Sequence, residues 1–340
     1  MAVTAFARSD PAQEGVVAFN ATRHLRQVAE LVGATFADEL DANGRASLRE
    51  MQLVGRFSPF LGGLWGTAFF ENFVAGYVWV EAGQVLGNVT LQRADFVGIR
   101  WRISNVAVAP QHRGRGIAHH LVEATLREIA RRGGNWAVLQ VRADNLAAHH
   151  LYERLGFTDV CRDGVWRLPI LPANLPQSEP GVSLHPLRAS AWRERLDLAH
   201  AARTSLARWA DAVNPADYQV GLGRQLGEVL GRMTGFYRVE RWGVLGTTYL
   251  LGAVETQLNG IADTHLLRFA VRPEARGRFE DALVAQGLRT LAGAPDRPVV
   301  VEHDADHAEG VAALETAGFR PQRVLLTMRR LIVPGDVGKT

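Results

Sequence analysis

The residues Val106-Ala-Val-Ala-Pro-Gln-His-Arg-Gly-Arg-Gly-Ile-Ala-His-His-Leu121 decide how the rest of the chain is read. A β-branched run ends at Pro110, six residues containing two glycines follow, and a helical pattern begins at Ile117. The predicted order is strand, tight loop, helix. The free N–H groups of a helix's first turn point outward together, and the helix dipole adds partial positive charge there. Glycine lets backbone approach an anion closely, and Gly114 and Gly116 supply that access. The stretch therefore reads as a phosphate cradle.

At 340 residues the chain suits two domains of about 150 to 170 residues. With 47% apolar and 21% charged residues it has the composition of a soluble globular protein rather than a disordered one. It lacks an apolar run long enough for a membrane helix, and its first residues lack the basic start and apolar core of a secretory signal. A cytoplasmic protein without membrane attachment is expected. Cys161 is the only cysteine, which excludes an intramolecular disulfide and argues against a cysteine-based zinc cluster, so no metal is expected. Net charge is +3, with acidic and basic residues interspersed, so nucleic acid is not an expected partner. Every basic residue except Lys339 is arginine, which leaves lysine acetylation no target within the fold.

Taken in order, the first sixteen residues read as an irregular lead-in. Leu25, Val28, Ala29 and Val32 then form one face of a helix from about Ala21, capped by Asn20. A second helix is predicted over Arg45 to Val54, between the acidic Asp38, Glu39 and Asp41 and an aromatic stretch holding Phe57, Phe60, Trp65, Phe69 and Phe70. Phe73 to Val80 and Gln84 to Gln92 read as a hairpin through Glu81-Ala82-Gly83. A strand from Trp101 to Val108 leads to the opening loop. The helix after it places Ala118, Val122, Leu126 and Ile129 on one face and stops at Gly133-Gly134. Trp136 to Val141 is the next strand, and Asn145 caps a short helix burying Ala148, Leu151, Tyr152 and Leu155. Two short strands then close this half. The proline-rich residues 171–181 form a linker. Beyond it, helices are expected at Trp192, Leu196 and Ala199 and after Pro215, then strands over Phe236 to Val244, Thr247 to Thr256 and His265 to Val271.

The two halves repeat. Val85-Leu-Gly-Asn-Val-Thr-Leu-Gln92 matches Leu250-Leu-Gly-Ala-Val-Glu-Thr-Gln257, Pro110–Gly116 matches Pro273–Phe279, and Gly156-Phe157 matches Gly318-Phe319. Offsets of 165, 163 and 162 residues in one order indicate a tandem duplication. In the second copy Phe279 replaces the second loop glycine and Glu280 adds a carboxylate at the helix start. Leu314 stands where Tyr152 stands, and His307 where Asn145 stands. A bulky ring and an anion both oppose a bound pyrophosphate, so the second copy is predicted to keep the packing, lose the polar parts and be catalytically silent.

At these motifs the chain resembles the GNAT superfamily of acyl-CoA-dependent N-acyltransferases. The family's Gln/Arg-x-x-Gly-x-Gly/Ala signature is met by Gln111-His-Arg-Gly-Arg-Gly116, and its later Asn-x-x-Ala-x-x-x-Tyr-x-x-x-Gly-Phe by Asn145, Ala148, Tyr152, Gly156 and Phe157. The resemblance implies an α/β (α+β) fold of two tandem GNAT-like domains, each a mixed, mostly antiparallel central sheet flanked by helices. Their ranges are 1–170, acetyl-CoA-binding and catalytic, and 182–334, degenerate. It implies that the fourth and fifth strands splay apart to form the acetyl-CoA slot. Backbone at Val106, Ala107 and Val108 would hold the pantetheine arm. Gln111, His112, Arg113, Gly114, Arg115, Gly116, Ile117 and Ala118 would surround the pyrophosphate, with Asn145, Ala148 and Tyr152 lying along the cofactor.

The activity this implies is transfer of an acetyl group from acetyl-CoA, as co-substrate, to a primary amine of a small molecule or peptide by direct attack. Tyr152 is the expected general acid for the departing thiolate. The glutamate that many family members carry on the fourth strand is replaced by Ser104-Asn105, which leaves Glu81, Asp38, Glu39 or a water chain as the base. His112, His119, His120, His149 and His150 read as surface or cofactor-edge residues, because adjacent residues on a helix do not face one site. The alternative is a non-catalytic acyl-CoA-binding sensor or scaffold. Monomer and homodimer are both compatible with the sequence.

Overall fold

The structure, a computed structural model, describes residues 14–36, 75–95, 97–172, 181–219, 221, 228, 230–231, 237–259 and 263–333. The expected helix over 45–54, the acidic Asp38, Glu39 and Asp41, the aromatic stretch from Phe57 to Phe70 and most of the linker lie outside these residues.

The first half contains β1 (Gly15–Ala18), α1 (Ala21–Thr35), β2 (Ala75–Glu81), β3 (Gln84–Arg93), β4 (Arg100–Val108), α2 (Ile117–Arg131), β5 (Trp136–Arg142), α3 (Leu146–Arg154) and β6 (Thr158–Leu168). The second contains β7 (His185–Pro186), α4 (Trp192–Ala202), α5 (Ser205–Ala210), β8 (Tyr237–Leu245), β9 (Leu250–Asn259), β10 (His265–Val271), α6 (Glu280–Thr290), β11 (Val299–Asp304), α7 (Ala308–Thr316) and β12 (Arg320–Leu331). Two local readings are corrected. A strand begins at Gly15 inside the expected irregular lead-in. One continuous eleven-residue strand, β6, replaces two short ones, because Gly164 leaves room for the Trp166 ring, which a Cβ there would meet at 2.3 Å. After Pro215 the chain makes a 3-10 turn, Pro215–Asp217, and further on Glu228, Leu230 and Gly231 are helical, in keeping with the helix expected after Pro215. The helix α5, whose first turn is capped by the Thr204 side chain, was not foreseen.

Contacts divide the chain into two compact units, Met1–Gln140 with Ala147–Thr158 and Met328–Thr340, and Val141–Leu146 with Asp159–Thr327. Relative to the linear ranges 1–170 and 182–334, nearly all of β6 groups with the second unit and the end of β12 with the first. In the first unit the strand order is β1-β2-β3-β4-β5, antiparallel except for the parallel pair β4 and β5. The chain's end lies along the start of β5, where Ile332 N–H donates to the Asn135 carbonyl at 2.8 Å and Arg329 covers the Trp136 ring. In the second unit the order is β6-β11-β10-β9-β8-β7, with β10 and β11 the parallel pair.

The repeat has a packing reason. A Cβ at Gly87 would meet Ile117 and Leu121 of α2 at 2.8 and 2.9 Å, and a Cβ at the matching Gly252 would meet Leu283 of α6 at 2.9 Å. In each unit this glycine lets the helix after the loop lie directly on the sheet. Ile117, Leu121, Val122, Leu126 and Ile129 are buried there, while Ala118 is half-buried. On the first unit's other side α1 packs Val28, Leu31 and Val32 against Val78, Val85 and Ala107. The second unit's core gathers Trp166, Leu267, Phe269, Leu283, Leu314 and Phe319. Fully burying one such side chain is worth about 1.5–3 kcal/mol.

Candidate functional site

In the first unit β4 loses one of its two partner strands part-way along. It pairs with β5 over four residues, from Arg100 opposite Trp136 to Ile103 opposite Leu139, and then the two strands part. Against β3 the register shifts between Asn88 and Thr90, so β4 carries an extra residue at a bulge. Asn105 sits there with φ of 50°, a left-handed conformation that asparagine tolerates. Asn88 Nδ2 donates to the Asn105 carbonyl at 2.9 Å, and Asn105 Nδ2 to Thr90 Oγ1 at 3.3 Å. From Ser104 onward the edge of β4 toward β5 has no ladder partner, and Val106, Ala107 and Val108 lie on it.

Beyond Val108 the chain makes a 3-10 turn, Pro110–His112, and reaches α2 through Gly114 and Gly116, at φ of 76° and 80°. Gly116 is the N-cap of α2, with no side-chain cap bond and no acidic residue in the first turn. A Cβ at Gly114 would meet nothing within 4 Å, so the loop faces open space. Gln111, Arg113 and Arg115 are exposed and His112 is half-buried. Arg113 Nε donates to the Val108 carbonyl at 3.3 Å. Arg115 forms a forked pair with Glu81 at 2.7 and 3.1 Å and meets His112 Nδ1 at 2.8 Å. Trp79 Nε1 donates to the same carboxylate, and these bonds from Arg115 and Trp79 hold Glu81 below the usual glutamate range. Glu81 thus anchors the loop, a poor position for a base.

The later motif falls on α3. Asn145 directly precedes it and is exposed, and Ala148 is half-buried. Tyr152 is 5% exposed and meets the edge of Phe157, with ring centroids 5.9 Å apart. Burial pushes its hydroxyl up to about 12, so at neutral pH it holds its proton. The adjacent histidines do not all diverge as expected: His119 Nε2 lies 3.4 Å and His120 Nδ1 4.0 Å from the Glu123 carboxylate, while His120 also stacks on Trp79. Asp38 and Glu39, the other candidate bases, lie outside the described residues. Among the described residues no group of three or more His, Cys, Asp or Glu is arranged for a metal, and no helix is long and apolar enough to cross a membrane.

In the second unit the corresponding loop follows the same path, with a 3-10 turn at Pro273–Ala275 and Gly277 at φ of 74°. Its cradle is filled from within. The Glu280 carboxylate accepts the Gly277 N–H at 3.0 Å and the Phe279 N–H at 3.1 Å, at the positions aligned with Gly114 and Gly116. His307 Nε2 meets Glu280 Oε1 at 2.9 Å, and His307 Nδ1 meets His303 Nε2 at 3.0 Å. Burial opposes ionisation of Glu280, but the bonds from His307 and the Gly277, Glu280 and Phe279 backbone outweigh it and hold the carboxyl at about 2. Burial, and then His307 and Arg276, hold His303 at about 3, neutral at physiological pH. The expectation that this copy loses its polar parts is therefore corrected: it rebuilds them as a closed network. His303 was missed; its signal is Gly310, where a Cβ would stand 2.1 Å from the His303 ring.

Residues 48–157 match the model of the acetyltransferase (GNAT) family. A mycothiol acetyltransferase of Streptomyces bingchenggensis is 28% identical over 245 residues, 70% of this chain and 75% of that protein. N-alpha-acetyltransferase 30 of Schizosaccharomyces pombe is 42% identical over 59 residues, 17% of this chain; the match spans only 39% of that relative's length. Among solved structures, a GCN5-related N-acetyltransferase from Sphaerobacter thermophilus superposes with a TM-score of 0.58 at 17% identity, covering 94% of this chain and 96% of the other. A tandem GNAT protein from the clavulanic acid biosynthesis pathway gives 0.52 at 17% identity, covering 94% and 98%. These two likenesses concern the fold. Family match, relatives and fold agree with the loop and the parted strands, and residues 48–157 of the chain resemble the GNAT acetyltransferase family.

Proposed function

We propose that the first unit transfers an acetyl group from acetyl-CoA to a primary amine of a small molecule or peptide. The observation that carries this reading is the contrast between the two loops: one ends at an open, uncapped helix start, the other is filled by its own carboxylate. An open N-terminus with two left-handed glycines favours a pyrophosphate. The unpaired edge of β4 at Val106, Ala107 and Val108 offers backbone groups to the pantetheine amides and the thioester carbonyl. Gln111, His112, Arg113, Arg115, Ile117 and Ala118 border the phosphates, and Asn145 and Ala148 border the arm.

In the reaction the amine nitrogen, neutral and with its lone pair free, attacks the thioester carbonyl carbon. The C–N bond forms, the C–S bond breaks, the thiolate takes the Tyr152 proton, and the nitrogen yields its extra proton to water. A hydroxyl pushed up to about 12 by burial is protonated at neutral pH and so has a proton to give as the C–S bond breaks. The relatives named mycothiol acetyltransferase and N-alpha-acetyltransferase 30 support an amine acceptor; the acceptor itself is not carried over from either.

The test is calorimetry of acetyl-CoA binding to the full chain and to Gly116→Phe, which copies Phe279 into the first loop. The reading expects one site per chain, lost in the variant. Two sites, or none, would refute it. Thioester consumption with a panel of amines then distinguishes an enzyme from a non-catalytic acyl-CoA-binding protein.

A further inference from the structure

The second unit has a half-open pocket of about 80 Å³ between α4 and the paired strands β9 and β10. Strand alternation decides what lines it. Ala253 and Glu255 of β9 stand opposite Ala270 and Arg268 of β10, so these four residues share one sheet face, beneath Arg195 and Leu198 of α4. Gly252 and Leu267 point to the other face, against α6. The floor is apolar and one end is charged.

The charges do not pair as the register suggests. Arg268 and Glu255 are cross-strand partners, yet one Glu255 oxygen is drawn to Arg195 at 2.6 Å and Arg241 at 2.7 Å, and the other accepts from Gln257. Among the described residues exposed Arg268 has no hydrogen bond or ion pair. A second donor is also unused. Arg195 is 6% exposed and lines the pocket; its terminal nitrogens reach Glu255 and the Tyr218 carbonyl, while its buried Nε has no partner.

An unpaired guanidinium at the mouth of an apolar pocket asks for an anion with an apolar body. The carboxyl groups of Glu255 and Asp217 also line the pocket, and negative charge there opposes a dianion such as phosphate more than a monoanion. We propose that this pocket binds a small apolar monocarboxylate, with its carboxylate on Arg268 and its body over Ala253, Ala270 and Leu198. A cavity of about 150 Å³ holds benzene, so about half that volume accepts three or four carbon atoms. The inference is independent of the acetyl-transfer reading.

The probe is isobutyrate, titrated into the full chain by ligand-observed NMR, with isobutyramide and inorganic phosphate as competitors. Saturable binding with a dissociation constant on the order of millimolar is expected, as suits so small a ligand. Arg268→Ala should weaken it at least tenfold, Arg268→Lys should retain most of it, and Ala270→Phe, which fills the floor, should abolish it. Absence of saturable binding, or affinity unchanged in Arg268→Ala, would overturn the proposal. Competition by isobutyramide or phosphate as strong as by isobutyrate would also overturn it. Displacement by acetyl-CoA would place the probe in the acyl slot instead. Retained isobutyrate binding in Gly116→Phe keeps this result separate from the fate of the cofactor site.

Discussion

Replacing Glu280 by Gln tests whether the second cradle is held shut by charge. The side chain keeps its shape and one acceptor oxygen but loses the anion that the Gly277 and Phe279 N–H groups and His307 converge on. An ordinary glutamate titrates at 4.5 and this one at about 2. At about 1.4 kcal/mol per tenfold, ionisation of Glu280 stabilises the fold by about 3 kcal/mol at pH 7. The sign follows from the depressed value: the contribution is complete above about pH 5 and drains away as pH falls toward 2, with about half left at pH 3. Neutral His303, held at about 3, adds acid lability in the same direction below about pH 6.5. Urea unfolding of wild type and Glu280→Gln, followed by tryptophan fluorescence at pH 7 and pH 3, reads the difference directly. Buried Trp166 reports the second unit's own core. The expected gap is about 3 kcal/mol at pH 7, shrinking to about half at pH 3. A gap under about 0.5 kcal/mol at pH 7, or one equally large at both pH values, would show that the carboxylate is not a charge-stabilised plug.

Two further outcomes are expected. Tyr152→Phe should keep acetyl-CoA affinity and lower turnover by about 10² to 10⁴-fold, read from steady-state kinetics with an accepted amine; unchanged turnover would remove Tyr152 from the chemistry. Ala82 turns the β2–β3 hairpin at φ of 48°, so Ala82→Gly should raise stability by about 1 kcal/mol in thermal or urea unfolding, and no gain would mean the left-handed turn costs nothing here.

The elements that could be read from the chain were those whose signals are local. The α1 stripe of Leu25, Val28, Ala29 and Val32, the Asn20 cap, the Glu81–Gln84 turn and the Gly133 stop each depend on residues within a few positions, and each has a physical cost if broken. What escaped the reading depends on distance. The continuity of β6 rests on pairing with β11, more than 130 positions away, and the end of β12 lies beside Asn135, whose sequence gives no sign of it.

The candidate site shows the same division. Two glycines at 114 and 116 and the strand before them could be read directly, because only an open backbone explains both. The meaning of Glu280 could not. In sequence, a carboxylate at a helix start opposes a bound pyrophosphate; in the structure it replaces one, accepting the same class of backbone N–H donors and gaining His307 as a further partner. A duplicated domain that simply lost its ligand would leave an uncapped helix N-terminus with its first-turn N–H groups unsatisfied, at about 1 kcal/mol or more for each buried donor. An internal anion removes that cost in one substitution, and Gly310 admits the imidazole behind it. The second unit's loop thus meets its N–H groups with its own carboxylate, whereas under the proposed function the first unit's open, solvent-facing loop would exchange water for a bound anion. That difference is why a single binding event per chain is the decisive expectation.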